Sequence, residues 1–375
     1  MTALPVPTVA LPPMPGWVRV NRTHVQRLRI AAVAKPARVP TLAVTDPDLV
    51  DEAWVNLHRG GLDGPAFDLA FTGPIALTLS AHGLIWQDGH LLTGPEILPA
   101  YVIEQLHAAP AHFLTAPRAL PRRHESRPAY IFLGWGIQVF GHFLIEMLPK
   151  LLLAQAHSPS LHGAMPVLDR AMPDWFLTIL RTQFGITEER AIWFDSRQEQ
   201  LSLDQAILIP NLLRPGGYHP HTATLFNAFT NRLTDHRDGE TGRVKIFIAR
   251  GTYRNPASAQ RVLLNEPDIA RIAEVEFGCT VLHPETLAFA EQVRRISNAD
   301  LILGQAGSAM HLALFAPAQA RIGVLRFMAP DQSFIAALRG QPIAYLTQGI
   351  TETAPDQFIA DPGRFRRFVH ALMAD

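Results

Sequence analysis

From about residue 128 to the C-terminus, short apolar runs alternate with stretches of helical period, and this alternation constrains the fold more than any other feature of the chain. A helix over 139–157 is followed by the strand PVLDR, a helix over 172–184, the strands AIWFD and AILIP, and a helix over 221–233. After the charged stretch TDHRDGETGR at 234–243, an interdomain linker by its composition, the theme repeats. VKIFIA, TVLHP, DLILG and RIGVLRF read as strands, with PDIARIAEVEF, TLAFAEQVRRISN and SAMHLALFA as the helices between them. Strands joined by helices bury themselves as a parallel sheet covered on both faces, because a parallel crossover needs a helix's length of chain. The expected fold is therefore α/β, with two Rossmann-like domains facing across a cleft and a strand-rich portion over about 28–115. In that portion Asp88-Gly89 marks a two-residue hairpin. The expected divisions are a proline-rich arm at 1–16, a first domain at 17–233, a second at 244–345, and a tail at 346–375 whose helix packs back on the first domain.

Composition narrows the function classes. A chain of 375 residues exceeds what one core comfortably serves, in keeping with two domains. Its 33 basic and 33 acidic side chains cancel, which removes the long-range attraction that nucleic-acid binding relies on. An anionic ligand must then be held by a few local cations. The single cysteine, Cys279, excludes an intrachain disulfide and reads as a core residue within GCTVLH. The N-terminus lacks a charged segment followed by an apolar core, and no apolar run reaches membrane-spanning length. A cytoplasmic protein is expected, with contact to a membrane-bound partner left open.

The stretch YIFLGWGIQVFGHFLIEMLPKLL at 130–152 carries the densest chemistry. Phe140, Phe143, Leu144, Met147, Leu148, Leu151 and Leu152 recur at helical spacing and form a buried stripe. His142 and Glu146, four apart, share one side of that helix next to the stripe. Either they are an acid–base pair on a rigid element, or, with Lys150, they are its solvated face. Gly134, Gly136 and Gly141 clear side chains from the helix start, and Pro149 is expected to kink or end its first part.

In open α/β sheets ligands gather beyond the carboxyl ends of the strands. Arg250 directly follows VKIFIA and Arg254 lies one short loop on, so two guanidinium forks suit a pyrophosphate there, unless both are simply surface arginines. In DLILGQAGSAMHLALF a strand ends at Gly304, and a glycine turn leads through Gly307 into a helix starting near Ser308 and Ala309, whose N–H groups would point into the same crevice. The glycine spacing is not that of a dinucleotide-binding turn, and no lysine precedes the serine as in a phosphate-binding loop of the nucleotide triphosphatases. His311 either faces the crevice or is satisfied within its helix. Glu285, in His283-Pro284-Glu285, either accepts from a ribose or base or caps the next helix. Asp46 and Asp48 flank Pro47 and form either a metal pair or a turn, and His219 with His221 lack a third ligand; neither is taken as a metal site.

Two blocks of the chain resemble glycosyltransferase family 61: GHFLIEMLPKL at 141–151, and KIFIARGTYRN, RVLLNE, LHPETLAFAEQV and ILGQAGSAMHLALFAP between 245 and 317. The resemblance implies a GT-B fold and an inverting transfer of a sugar from a nucleotide sugar, such as a UDP-sugar, to a hydroxyl of a glycan or lipid-linked glycoconjugate. It places a bacterial-type member in surface polysaccharide assembly. It also implies that Arg250 and Arg254 hold the diphosphate without a metal, that the 304–309 turn supports it, and that Glu285 lies near the nucleoside. His142 and Glu146 fall on the acceptor side, one as the base and the other orienting it. The chain departs from the family pattern at Ala306, where a histidine is common, and at Leu312, where an asparagine is. These departures leave room for a nucleotide-sugar-binding protein without catalysis; a Rossmann-type oxidoreductase is the more distant alternative.

Overall fold

The computed structural model describes residues 17–19, 27–60, 62–234, 243–251 and 261–374. The expected proline-rich arm, the middle of the charged stretch and Arg254 lie outside these. The chain divides into two compact units, the first formed by the described residues up to Lys35 with Ala66–Pro215, the second by Pro36–Pro65 with Gly216 onward. The division falls before the expected 234–243 linker. The helix His221–Thr234 and the early segment Pro36–Pro65 both belong to the second unit, the latter through a bridge from Leu42 to Ile343 and the hydrogen bond from Asp51 N–H to Thr347 Oγ1 at 2.8 Å.

The first unit differs from the expected Rossmann-like domain: its ten-stranded sheet is mixed. Its central members are β1 (Phe67–Leu79), β2 (Ala129–Ile131), β3 (Met165–Asp169), β4 (Ile192–Phe194) and β5 (Gln200–Leu208). β5, β2, β3 and β4 lie side by side and parallel, with Ala206 opposite Ala129 and Val167 opposite Ile192. On its other edge β5 pairs antiparallel with β1, joining the parallel part to the strand-rich N-terminal portion. Asp88 and Gly89 take positive φ values of 49° and 81° between Ile85–Gln87 and His90–Thr93, the expected two-residue hairpin.

The second unit carries five parallel strands, β6 (Val244–Ile248), β7 (Cys279–Leu282), β8 (Ala299–Gln305), β9 (Arg321–Leu325) and β10 (Ile343–Leu346), in the order β7-β6-β8-β9-β10. This is the doubly wound order, and it creates a switch point between β6 and β8, where the chain leaves in opposite directions. Cys279 is buried in β7, and burial pushes its thiol up to about 11, as befits a core residue. The closing helix, Pro362–Met373, packs on Glu266–Phe277, β9 and β10. Its fit is close: a Cβ on Gly323 of β9 would stand 2.8 Å from Leu372 and 3.1 Å from Phe368. The Asp46–Asp48 segment is a turn, with Asp46 Oδ1 accepting the Asp48 N–H and Arg367 bonded to both carboxylates at 3.1 Å. No helix among the described residues is long and apolar enough to cross a membrane.

Candidate functional site

In the first unit β2 delivers the chain into a loop that turns at Gly136, and a helix follows. Phe140–His142, Phe143–Met147 and Leu148–Ala156 run on from one another, the middle five residues forming a wider π turn. Pro149 does not end this helix. A regular helix would drive its ring into the carbonyl of Ile145, and the π turn lies at that point in the chain. The wide turn carries Glu146.

The apolar stripe is buried apart from Phe140, which is half-buried, but Glu146 and Lys150 are buried with it, only 7% and 3% exposed. The solvated-face reading is thereby excluded. Glu146 Oε1 is 2.9 Å from His142 Nδ1 and accepts the phenol hydroxyl of Tyr101 at 2.5 Å. Tyr101, from the helix Ala100–Ala108, also lies 3.1 Å from His142 Nδ1, its ring stacked on the imidazole at 5.6 Å between centroids. Nothing local in the sequence marks Tyr101. With Nδ1–H directed at the carboxylate, Nε2 carries the basic lone pair of the neutral ring. A carboxylate that fixes the tautomer of an imidazole and offsets the charge it gains is a general-base arrangement. Burial pushes Lys150 down to about 8, against the pull of Glu146 one turn away. Gly136 is essential to the packing: its φ is +72°, and a Cβ there would stand 2.6 Å from His142 Cδ2.

The second unit gathers a different chemistry at its switch point. Arg250 and Gly251 follow β6, and their backbone N–H groups are clamped by the two oxygens of buried Glu266 at 3.0 and 2.8 Å. Glu266 is the first residue of the helix Glu266–Phe277, so the carboxylate that opens this helix also fixes the strand-end turn. Arg250 Nη1 donates to the carbonyl of Arg261 at 2.9 Å, which Gln305 at the end of β8 also meets at 3.1 Å. Glu285 stands beside this turn: a Cβ on Gly251 would be 3.6 Å from its Oε1 and 3.2 Å from His283 Nδ1. The short helix Pro284–Thr286 holds it there, and Gln292 binds the carbonyls of Pro284 and Leu287.

Beyond β8 the expected α-helix is a 3₁₀ helix, Ser308–Phe315, with Gly307 at its N-cap. Such turns align fewer peptide dipoles than an α-helix would. Gly307, Ser308, Ala309 and His311 are partly exposed, whereas Gly304 serves packing, since a Cβ there would meet Met310 Sδ at 2.6 Å and Ile248 O at 2.9 Å. Ala306 and Leu312 are 2% and 0% exposed and belong to the core.

A further arginine was not singled out from the sequence. Arg326, directly after β9, has a left-handed backbone (φ +100°) and stacks over Phe358 at 3.6 Å. Burial lowers its pKa, as do Arg261 and Arg250, while Asp356 opposes them. Its Nη1 is buried and has no hydrogen-bond partner among the described residues. The strand-end rule that found Arg250 would have found it too. His219 accepts the N–H of His221 at the start of the following helix, a capping role.

The first unit thus holds an imidazole–carboxylate pair on one helix, and the second an arginine at the switch point of its parallel sheet. The family model for Glycosyltransferase 61 matches residues 140–323, from the first residue of the Glu146 helix to Gly323 of β9. The chain belongs to that family and is a glycosyltransferase. A search of curated proteins returns no match.

Proposed function

We propose that the protein transfers a sugar, with inversion, from a nucleotide sugar to a hydroxyl of a glycan or glycoconjugate. The observation that carries this reading is the Glu146–His142–Tyr101 cluster at the start of the family-matched segment. In the proposed reaction the acceptor oxygen attacks the anomeric carbon and its proton passes to His142 Nε2. The carbon–oxygen bond to the diphosphate breaks, and the leaving oxygen keeps the electron pair. Glu146 orients the imidazole and stabilises its positive form. Tyr101 holds the carboxylate.

The donor's diphosphate is assigned to Arg250, with Arg254 as the expected second fork, and the nucleoside to the neighbourhood of Glu285. The 304–309 turn and His311 border it. The doubly wound order of the second unit fits the donor half of a GT-B enzyme. Guanidinium groups can meet the charge that develops on the leaving diphosphate, so the reaction is proposed to need no metal. Ala306 and Leu312 give no support to a catalytically silent protein, because both lie in the core.

Calorimetric titration with UDP, and with GDP, CMP and NAD as controls, tests the donor. Selective UDP binding that Arg250→Ala weakens about thirtyfold, followed by turnover of a UDP-sugar in the presence of EDTA, is the expected result. Absence of binding by any nucleotide at millimolar concentration overturns the nucleotide-sugar reading.

A further inference from the structure

The first unit holds an open cleft of about 440 Å³, lined by His82, His112, Gly136 and Gln138 and, at the carboxyl ends of β3 and β4, by Ala171 and Ser196. It therefore lies where the parallel strands of this sheet would be expected to place a ligand. We propose that this cleft binds an uncharged sugar ring of the acceptor; the assignment rests on the transferase reading above.

Three observations converge. First, the cleft shares Gly136 with the catalytic cluster, since this glycine both lines it and touches the ring of His142. Second, His82 holds a left-handed backbone (φ 62°), a conformation that costs a non-glycine residue about 1 kcal/mol or more and persists only when its surroundings impose it. Those surroundings are aromatic. The His82 imidazole lies on Trp135 at 4.8 Å and 30°, with Phe113 edge-on at 5.1 Å and His112 6.1 Å away. The next residue, Gly83, is pressed so closely on Gly134 that a Cβ would stand 2.9 Å from its carbonyl. Strain of this kind, held in place at the wall of a cleft, is typical of binding positions.

Third, the charges around the cleft are already satisfied. Arg197 is bonded to Asp195 at 2.8 and 2.9 Å, and buried Asp169 accepts the N–H groups of Ala171 and Ser196 at 2.9 and 3.2 Å. Burial, with His112 beside it, lowers the pKa of His82 and keeps that ring neutral. A mainly apolar wall with two imidazoles, whose ring nitrogens can donate or accept, matches a sugar's C–H faces and hydroxyls. Among the described residues its one lining cation, Arg197, is already paired with Asp195, which leaves a uronate or phosphate no advantage.

Saturation-transfer NMR on the intact chain, with methyl glycosides of glucose, galactose, mannose, xylose and N-acetylglucosamine at about 10 mM, tests the assignment at the affinity expected of a single ring. Methyl glucuronide is the charged control. At least one neutral glycoside should bind, and His82→Asn and His112→Ala should each weaken it about tenfold, as the loss of one or two good polar contacts does. Asparagine tolerates the left-handed backbone, so the first variant removes the ring without adding strain. UDP binding should stay unchanged in both. The proposal is overturned if no neutral glycoside binds, if both variants bind as the parent does, or if glucuronide binds best. Glycoside binding by a chain that binds no nucleotide would keep the subsite and remove the nucleotide-sugar reading.

Discussion

The two units solve opposite electrostatic problems. In the first, a carboxylate is buried among apolar side chains and kept useful by an imidazole and a phenol, so its charge is local and directed at one ring. In the second, Arg250, Arg261 and Arg326 gather around strand ends, and each depends on stacking or a carbonyl as much as on a carboxylate. A group that must exchange one proton needs fixed geometry above all. A group that must hold a spread negative charge needs several cations whose mutual repulsion the ligand relieves. In the proposed reaction the difference between the units is the difference between moving a proton and holding an anion.

The comparison breaks first at Glu146. Glu146→Gln keeps the shape but cannot stabilise a protonated His142, and transfer should fall about a thousandfold while UDP binding is unchanged. His142→Ala should do the same. Wild-type turnover in both variants would remove the proton-transfer role from this cluster.

How much of this was legible follows from the range of the contacts. His142 and Glu146 could be paired from the sequence because one helix turn separates them, and Arg250 could be placed because it directly follows a strand. Tyr101 could not, because it reaches Glu146 from 45 residues away by a packing that no local pattern encodes. The same holds for the fold. The second unit's parallel order follows from alternation, whereas the antiparallel pairing of β5 with β1 joins Leu201 to Leu79 across intervening elements and gives the first unit its mixed sheet. The transfer of Pro36–Pro65 to the second unit also rests on distant partners, Ile343 and Thr347.

Each unit also buries a base whose pKa falls, and the two separate by pH. Lys150, held near 8 in the folded protein against about 10.5 unfolded, is neutral in the fold while the unfolded chain is still protonated. Stability should therefore rise with pH between those values, by about 3 kcal/mol. His58, 3% exposed with neither ring nitrogen hydrogen-bonded among the described residues, is pushed down to about 4 by burial. Acidification from about 6.5 to 4 should remove about 3 kcal/mol as the unfolded chain takes up the proton that the folded ring refuses. Urea midpoints measured across pH should lose the alkaline slope in Lys150→Met and the acid slope in His58→Leu. A variant that keeps its slope shows that another group titrates there.

The arginines sharpen the contrast by their inequality. Arg250→Ala should weaken UDP about thirtyfold, the value of a charge-assisted pair. Arg326→Met, which keeps the stacking on Phe358 and removes the charge, should weaken it about tenfold if the buried Nη1 meets the anion, and titration calorimetry distinguishes the two. Unchanged UDP affinity in Arg326→Met would limit Arg326 to packing.

The smallest expected effect discriminates most finely, because Tyr101→Phe leaves the carboxylate and the imidazole in place and removes only the hydroxyl that Oε1 accepts. Without that donor the carboxylate directs more of its charge at His142, and protonated imidazole becomes easier to form. Turnover at neutral pH should fall about fivefold, within the range for losing one hydrogen bond to a charged group. The acid limb of the rate profile should move to higher pH, because the base is then protonated earlier. A tyrosine that merely fills space against His142 would lower the rate, if at all, with the acid limb unmoved. The pH profile of Tyr101→Phe therefore decides whether the phenol tunes the proton-transfer pair or only supports it.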